Sequence, residues 1–256
     1  MFPKLIDGFN HAFQMKILKE VVSSVVSYKL KLGEVYMRHF DLEMNDLKKR
    51  LVDMAEIVQQ MIKFSVDMIV KRDLAMSKEV FNREREANLT EIVVDDTCLK
   101  LIALNQPVGT DLRFITSAMR INSDLERMGD EAVNICEIGE ELLKYPDLKP
   151  LIDIPKMATA VNDMVRDSIQ AFNLNDPDLA DKVLSRDDEV DELKRIIIKD
   201  LLAFMTNTSD QTTLIRAIDL MFIAKSLERL GDHATNIAED VIFMVHGKDI
   251  RHLKSI

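Results

Sequence analysis

Residues 125–137 read LERMGDEAVNICE and residues 227–239 read LERLGDHATNIAE, one segment written twice 102 residues apart with 9 of 13 positions identical. A copy that close in a chain of 256 residues means that one structural unit occurs twice. Each copy sets an acid four residues before a second acid, Glu126 with Asp130 and Glu228 with Asp232. On a helix, residues four apart are surface neighbours, so each pair points two carboxylates the same way.

Outward from the first copy, apolar residues recur at helical spacing over residues 42–70 (Leu47, Leu51, Met54, Val58, Met61, Met68) and again over 74–104. After a break at Pro107 and Gly109 the pattern resumes over 111–143. Pro146, Pro150 and Pro155 crowd into YPDLKPLIDIP, the boundary between two halves. Beyond it the plan repeats, with helices over 156–172, 177–205 and 212–245. Asp176 caps the start of the second of these with Pro177 at its first position, and Asn207 to Asp210 form the polar break before the third. Long helices on short loops pack as antiparallel neighbours. The expected fold is all-α, six long helices in two tandem three-helix bundles over residues 37–146 and 147–256, with the doubled motif on the third helix of each. Residues 1–36 lack a counterpart; Leu18, Val21, Val22, Val25 and Val26 suit a short amphipathic helix or a weakly ordered extension.

Composition narrows the function. A net charge of -10 without a basic stripe speaks against nucleic acid as a partner, and suits solubility, cation binding or a basic partner surface. No stretch approaches the roughly 18 apolar residues of a membrane span, and the start of the chain lacks a signal-peptide pattern, so a cytoplasmic protein without direct membrane insertion is expected. Cys98 and Cys136 show no metal-ligand spacing and read as buried free thiols. There is no GxxxxGK[ST] loop, GxGxxG fingerprint or GxSxG elbow, so neither catalytic residues nor an organic cofactor are expected. A di-iron bundle would need Glu-x-x-His, and no glutamate has a histidine three residues on.

The doubled motif carries the chemistry. Glu126 and Asp130 are followed one turn on by Asn134, then Glu137, and the second copy repeats this with Glu228, Asp232, Asn236 and Glu239. Such hard oxygen donors suit magnesium, calcium, manganese or ferric iron. Further acids lie on the preceding helix of each bundle, Glu84, Glu91 and Asp95 in the first and Asp187, Asp188 and Asp191 in the second. The plainer reading is a solvated face with Arg127 and Arg229 in ordinary ion pairs. Two copies kept alike while the sequence between them diverged favour function. Gly129 and Gly231 point the same way, since a mid-helix glycine costs about 1 kcal/mol against alanine and suggests close backbone approach. His233, whose counterpart is Glu131, is expected as a polar surface residue.

The two LER-[ML]-GD-x-A-x-NI segments, IALNQPVGTDLR (residues 102–113) and DDEVDEL (187–193) resemble the PhoU family, regulators of bacterial and archaeal phosphate uptake. The resemblance runs from about Met37 to the C-terminus and implies tandem three-helix bundles. It implies multinuclear metal clusters of iron, manganese, magnesium or zinc, with Glu126, Asp130, Glu228 and Asp232 as ligands and Glu91, Asp95, Asp188, Asp191, Asn134 and Asn236 in support. The match is uneven: Asn88 stands where the second bundle has Asp191, and Lys194 where the first has Glu91, so the second site is expected to be weaker or empty. The resemblance further implies a non-enzymatic negative regulator, a homodimer that links the phosphate transporter's ATPase subunit to a sensor histidine kinase. Two other readings compete, a regulatory domain for another phosphate or ion transporter and a carboxylate-bundle metalloenzyme.

Overall fold

A computed structural model of the chain describes Met37 and residues 39–251. The expected helix or extension over residues 1–36 lies outside the described residues. The chain divides into two units, Met1–Asn45 and Asp46–Ile256. In the first, residues 39–45 are helical, and His39 Nε2 lies 3.6 Å from Glu43 Oε1 one turn on.

In the second unit, helical residues 46–71 (α1) are followed by α2 (Ala75–Asn105), α3 (Gly109–Leu142), α4 (Asp153–Leu174), α5 (Pro177–Leu184), α6 (Asp187–Thr206) and α7 (Gln211–His246). The described residues contain no strand. The helices form two tandem repeats, as the periodicity requires. Leu47, Leu51, Met54, Val58, Met61 and Met68 are all fully buried along one face of α1. Against them α3 sets Leu125, Met128, Ala132, Ile135 and Cys136, and α7 buries Leu227, Leu230, Ala234, Ile237 and Ala238 at the equivalent positions.

The expected single helix over 177–205 is broken in two. Asp176 Oδ1 accepts from Asp178 N and Leu179 N at 3.0 Å each, so α5 starts as its sequence requires. The chain then turns at Ser185 and Arg186, where the Arg186 guanidinium donates to Asp167 on α4 at 2.8 Å. Asp187, Asp188 and Glu189 fill the first turn of α6, where acids interact favourably with the positive end of the helix dipole. The acidic run thus marks a helix start that apolar periodicity alone runs through.

The third helices are the centre of the unit. α3 and α7 lie against each other, α2 packs on α3, and α4, α5 and α6 pack on α7. The connection from α3 to α4 is fastened from below by Arg72, itself at φ 55°, which donates to the carbonyls of Leu143 (3.0 Å) and Tyr145 (2.6 Å) and pairs with Asp147. Phe172 of α4 is fully buried and stacks on Phe114 of α3 with ring centroids 5.4 Å apart. Cys98 and Cys136 are buried free thiols, pushed up to about 12 chiefly by desolvation, which leaves them protonated and unreactive.

The motif glycines are buried, yet neither marks a close backbone approach. A Cβ on Gly129 would meet Met61 Cε at 3.6 Å and one on Gly231 would meet Val190 Cγ1 at 3.4 Å, both ordinary contacts. At Gly139, two residues past the motif, a Cβ would fall 2.5 Å from Met68 Cε and 2.7 Å from Ile69 Cγ1. Gly129→Ala is therefore expected to stabilise the metal-free protein by about 0.5–1 kcal/mol through helix propensity. Gly139→Ala is expected to destabilise it by about 1 kcal/mol, since overpacking at about 1–3 kcal/mol exceeds the same gain. Urea unfolding of the two variants checks the pair; equal shifts would contradict the packing argument.

Candidate functional site

The register of α2 against α3 builds the first acidic face. Glu91 and Asp95 are one turn apart on α2, Glu126 and Asp130 one turn apart on α3, and Glu91 feels charges on both helices. Glu91 is raised above the ordinary carboxylate range by desolvation, then by Asp95 and Asp130. Glu126 is raised by desolvation, then by Asp130 and Glu91, with Arg127 and His233 opposing. Among the described residues none of the four carboxylates has an ion-pair partner within 4.0 Å. Asn122, fully buried on α3, donates from Nδ2 to Asp95 Oδ1 and to the Glu91 carbonyl, both at 3.0 Å, and its own Oδ1 has no hydrogen-bond partner.

A hard cation fits the chemistry of this face: carboxylate oxygens that repel one another, no ion-pair partner within 4.0 Å among the described residues, and an unsatisfied amide oxygen on the residue that clasps Asp95. As placed, no three Asp, Glu, His or Cys side chains among the described residues are grouped closely enough to hold one ion. An ion there would have to draw the carboxylates inward.

The second face has similar acids and a different balance. Asp232 is pushed up to about 6, by desolvation first and then by Glu228, Asp187 and Asp191. Lys194 of α6 donates to Glu228 Oε1 at 2.5 Å and to Asp191 Oδ1 at 3.1 Å. A side-chain ammonium thus bridges two of the candidate ligands. Asp188 is exposed on the first turn of α6, and Asp187 beside it is one of the charges that raise Asp232.

Asn134 and Asn236 do not extend the carboxylate stripes; they serve a polar seam between α3 and α7 that the sequence reading missed. Asn236 Nδ2 donates to Asp124 Oδ1 of the other repeat at 3.3 Å, and Asn134 Nδ2 donates to Glu131 Oε2 at 3.4 Å. His233 is not a surface residue. It is half-buried with Nδ1 2.8 Å from Asp124 Oδ1, which places the Nδ1 proton between them. Arg229 Nη1 donates to Glu131 Oε1 at 2.9 Å, and Arg120 Nη1 donates to Asp240 Oδ1 at 2.9 Å. Asp124, Glu131 and Asp240 are all buried, each facing a basic group on the opposite helix. The available signal was that these acids fall on the apolar phase of α3 and α7. Over the seam opens a concavity of about 440 Å3, lined by Arg127, Asp130, Glu131 and Asn134 of α3 and by Arg229, Asp232 and His233 of α7.

The site therefore has two acidic faces flanking a charged seam, on a chain in which no helix among the described residues is long and apolar enough to cross a membrane. The family model described as "PhoU domain" matches twice, at residues 51–139 and 154–241, each match ending two residues beyond a copy of the motif. A relative from Aquifex aeolicus, named a phosphate-specific transport system accessory protein PhoU homolog, is 37% identical over 82% of this chain and 94% of its own. The Escherichia coli phosphate-specific transport system accessory protein PhoU is 27% identical over 88% of this chain and 92% of its own. Among solved structures, PhoU from Pseudomonas aeruginosa aligns at a TM-score of 0.78 and 30% identity, covering 82% of this chain and all of that one. The phosphate transport system regulatory protein PhoU from Streptococcus pneumoniae aligns at 0.75 and 25% identity, over 82% of this chain and 98% of its own. Two matched domains, carried on the same two-repeat fold, show that this chain belongs to the PhoU family.

Proposed function

We propose that this protein is an accessory protein of a phosphate transport system that connects the transporter's ATPase subunit to a membrane sensor histidine kinase and keeps the phosphate-starvation response off while phosphate is plentiful. The observation that carries this reading is the 37% identity, over 82% of this chain, to a relative named a phosphate-specific transport system accessory protein PhoU homolog. The first acidic face supports it: Glu91, Asp95, Glu126 and Asp130 would hold a hard cation, which when bound supplies positive charge to a surface otherwise made of mutually repelling acids. In this reading the protein works by binding, as a homodimer, and catalyses no reaction.

The test uses the full chain. Wild-type protein should co-purify with its transporter's ATPase subunit and restore repression of a starvation-gene reporter in a strain deleted for it. Glu126→Ala with Asp130→Ala should stay folded while losing bound metal, partner binding or both. Failure of the wild-type protein to bind the ATPase subunit or to repress the reporter would refute the adaptor reading. A doubly substituted protein that retained both its metal and its partners would refute the role of the acidic face.

A further inference from the structure

The two repeats present acidic faces that differ at one decisive place. On the first, position 91 is a glutamate, and among the described residues none of Glu91, Asp95, Glu126 and Asp130 has an ion-pair partner within 4.0 Å. On the second, position 194 at the equivalent point of the repeat is a lysine, half-buried against α7. Its Nζ lies 2.5 Å from Glu228 Oε1 and 3.1 Å from Asp191 Oδ1, the acids that would otherwise share an ion.

An ammonium group is a compact charge with three donors, so it can hold two carboxylates at once much as a small cation does. It differs in being covalently tethered and in carrying one charge instead of two. The remaining carboxylate, Asp232, lies one turn from Glu228 on α7, so the face holds more acids than its single positive charge balances. A divalent ion entering this shell would meet the ammonium across the same few ångströms that separate it from the carboxylates. Repulsion there would offset the attraction that draws the ion in.

We infer that Lys194 is the resident cation of the second acidic face and excludes divalent ions from it. The inference rests on reading the acidic faces as cation sites, and it makes the two repeats unequal: the first exchanges a cation with solvent, while the second carries its own.

Equilibrium dialysis of the full chain against Mn2+, with metal per chain measured by elemental analysis, tests this in wild type, Asp232→Asn, Lys194→Ala and Lys194→Arg. Melting in EDTA, run in parallel, confirms that each variant is folded. Asp232→Asn should leave the wild-type Mn2+ content unchanged. Lys194→Ala should melt lower than wild type in EDTA and bind at least one Mn2+ per chain more than wild type, a gain that Asp232→Asn removes when combined with it. Lys194→Arg, which keeps the charge, should gain none. The inference is overturned if Lys194→Ala binds no additional Mn2+, if Lys194→Arg gains as much as Lys194→Ala, or if Asp232→Asn lowers the wild-type content. Wild type taking up no Mn2+ while Lys194→Ala takes up one would refute the cation reading of the first face and leave the role of Lys194 standing.

Discussion

Phe172→Ala is expected to destabilise the protein by about 3–5 kcal/mol, the range for truncating a fully buried aromatic ring, and to loosen both repeats together. The ring belongs to the second repeat, but it stacks on Phe114 of the first with an interplanar angle of 19°, and Lys48 of α1 lies over it at 6.0 Å. Removing it takes away the ring stacking and opens a cavity that α1, α3 and α4 would have to fill together, and close-packed helices collapse only partly into such space. Urea unfolding followed by circular dichroism should show one cooperative transition at lower denaturant with no plateau. Two separated transitions, with one repeat melting at the wild-type midpoint, would show that the repeats are energetically independent.

The second large effect lies in the seam. Asp240 is only 3% exposed and meets one guanidinium, that of Arg120, at 2.9 Å. Burial is the main reason its carboxyl is raised above the ordinary range; Arg120, by its hydrogen bond and its charge, holds it down. Arg120→Met removes that counter-charge and is expected to cost about 3 kcal/mol at neutral pH, the low end of the range for breaking a buried pair because the arginine is partly exposed. The loss should depend on pH. A carboxyl whose folded-state pKa lies above its unfolded value favours folding below the unfolded value, and that advantage disappears as pH rises through the folded one. The deficit of Arg120→Met should therefore be small below about pH 4, the unfolded aspartate range, and grow as pH rises past the raised pKa of Asp240. Asp240→Asn combined with it should flatten the dependence. A loss equal at all pH values would mean that Arg120 acts only through its stacking on Phe243, 5.3 Å away.

Much of this architecture can be read from periodicity, and the reason lies in α1. Its core residues recur at helical spacing without interruption, so Leu47 to Met68 could only be one buried stripe. The same rule carried residues 177–205 through as one helix, because apolar spacing persists across Ser185 and Arg186 while the break depends on Arg186 reaching Asp167 on another helix. Mid-helix glycines were misread for a similar reason. Sequence shows that a side chain is missing, but only packing shows that Gly139 has no room for one while Gly129 does.

The candidate site divides along the same line. By itself the sequence determined that an acidic segment occurs twice, that each copy sets two carboxylates on one helix face, and that the chain is of PhoU type, because spacing along a single helix is a local property. It also showed that Lys194 stands where the first repeat has Glu91. Only the tertiary structure decided that this lysine reaches across to Glu228, and that Asp124, Glu131 and Asp240 are buried against bases on the opposite helix. The three pairings across the seam join residues 98 to 120 apart in the chain, and no helical repeat encodes which residue of α3 meets which residue of α7. Their partners follow from how two long helices settle against each other, and that is set by the whole core.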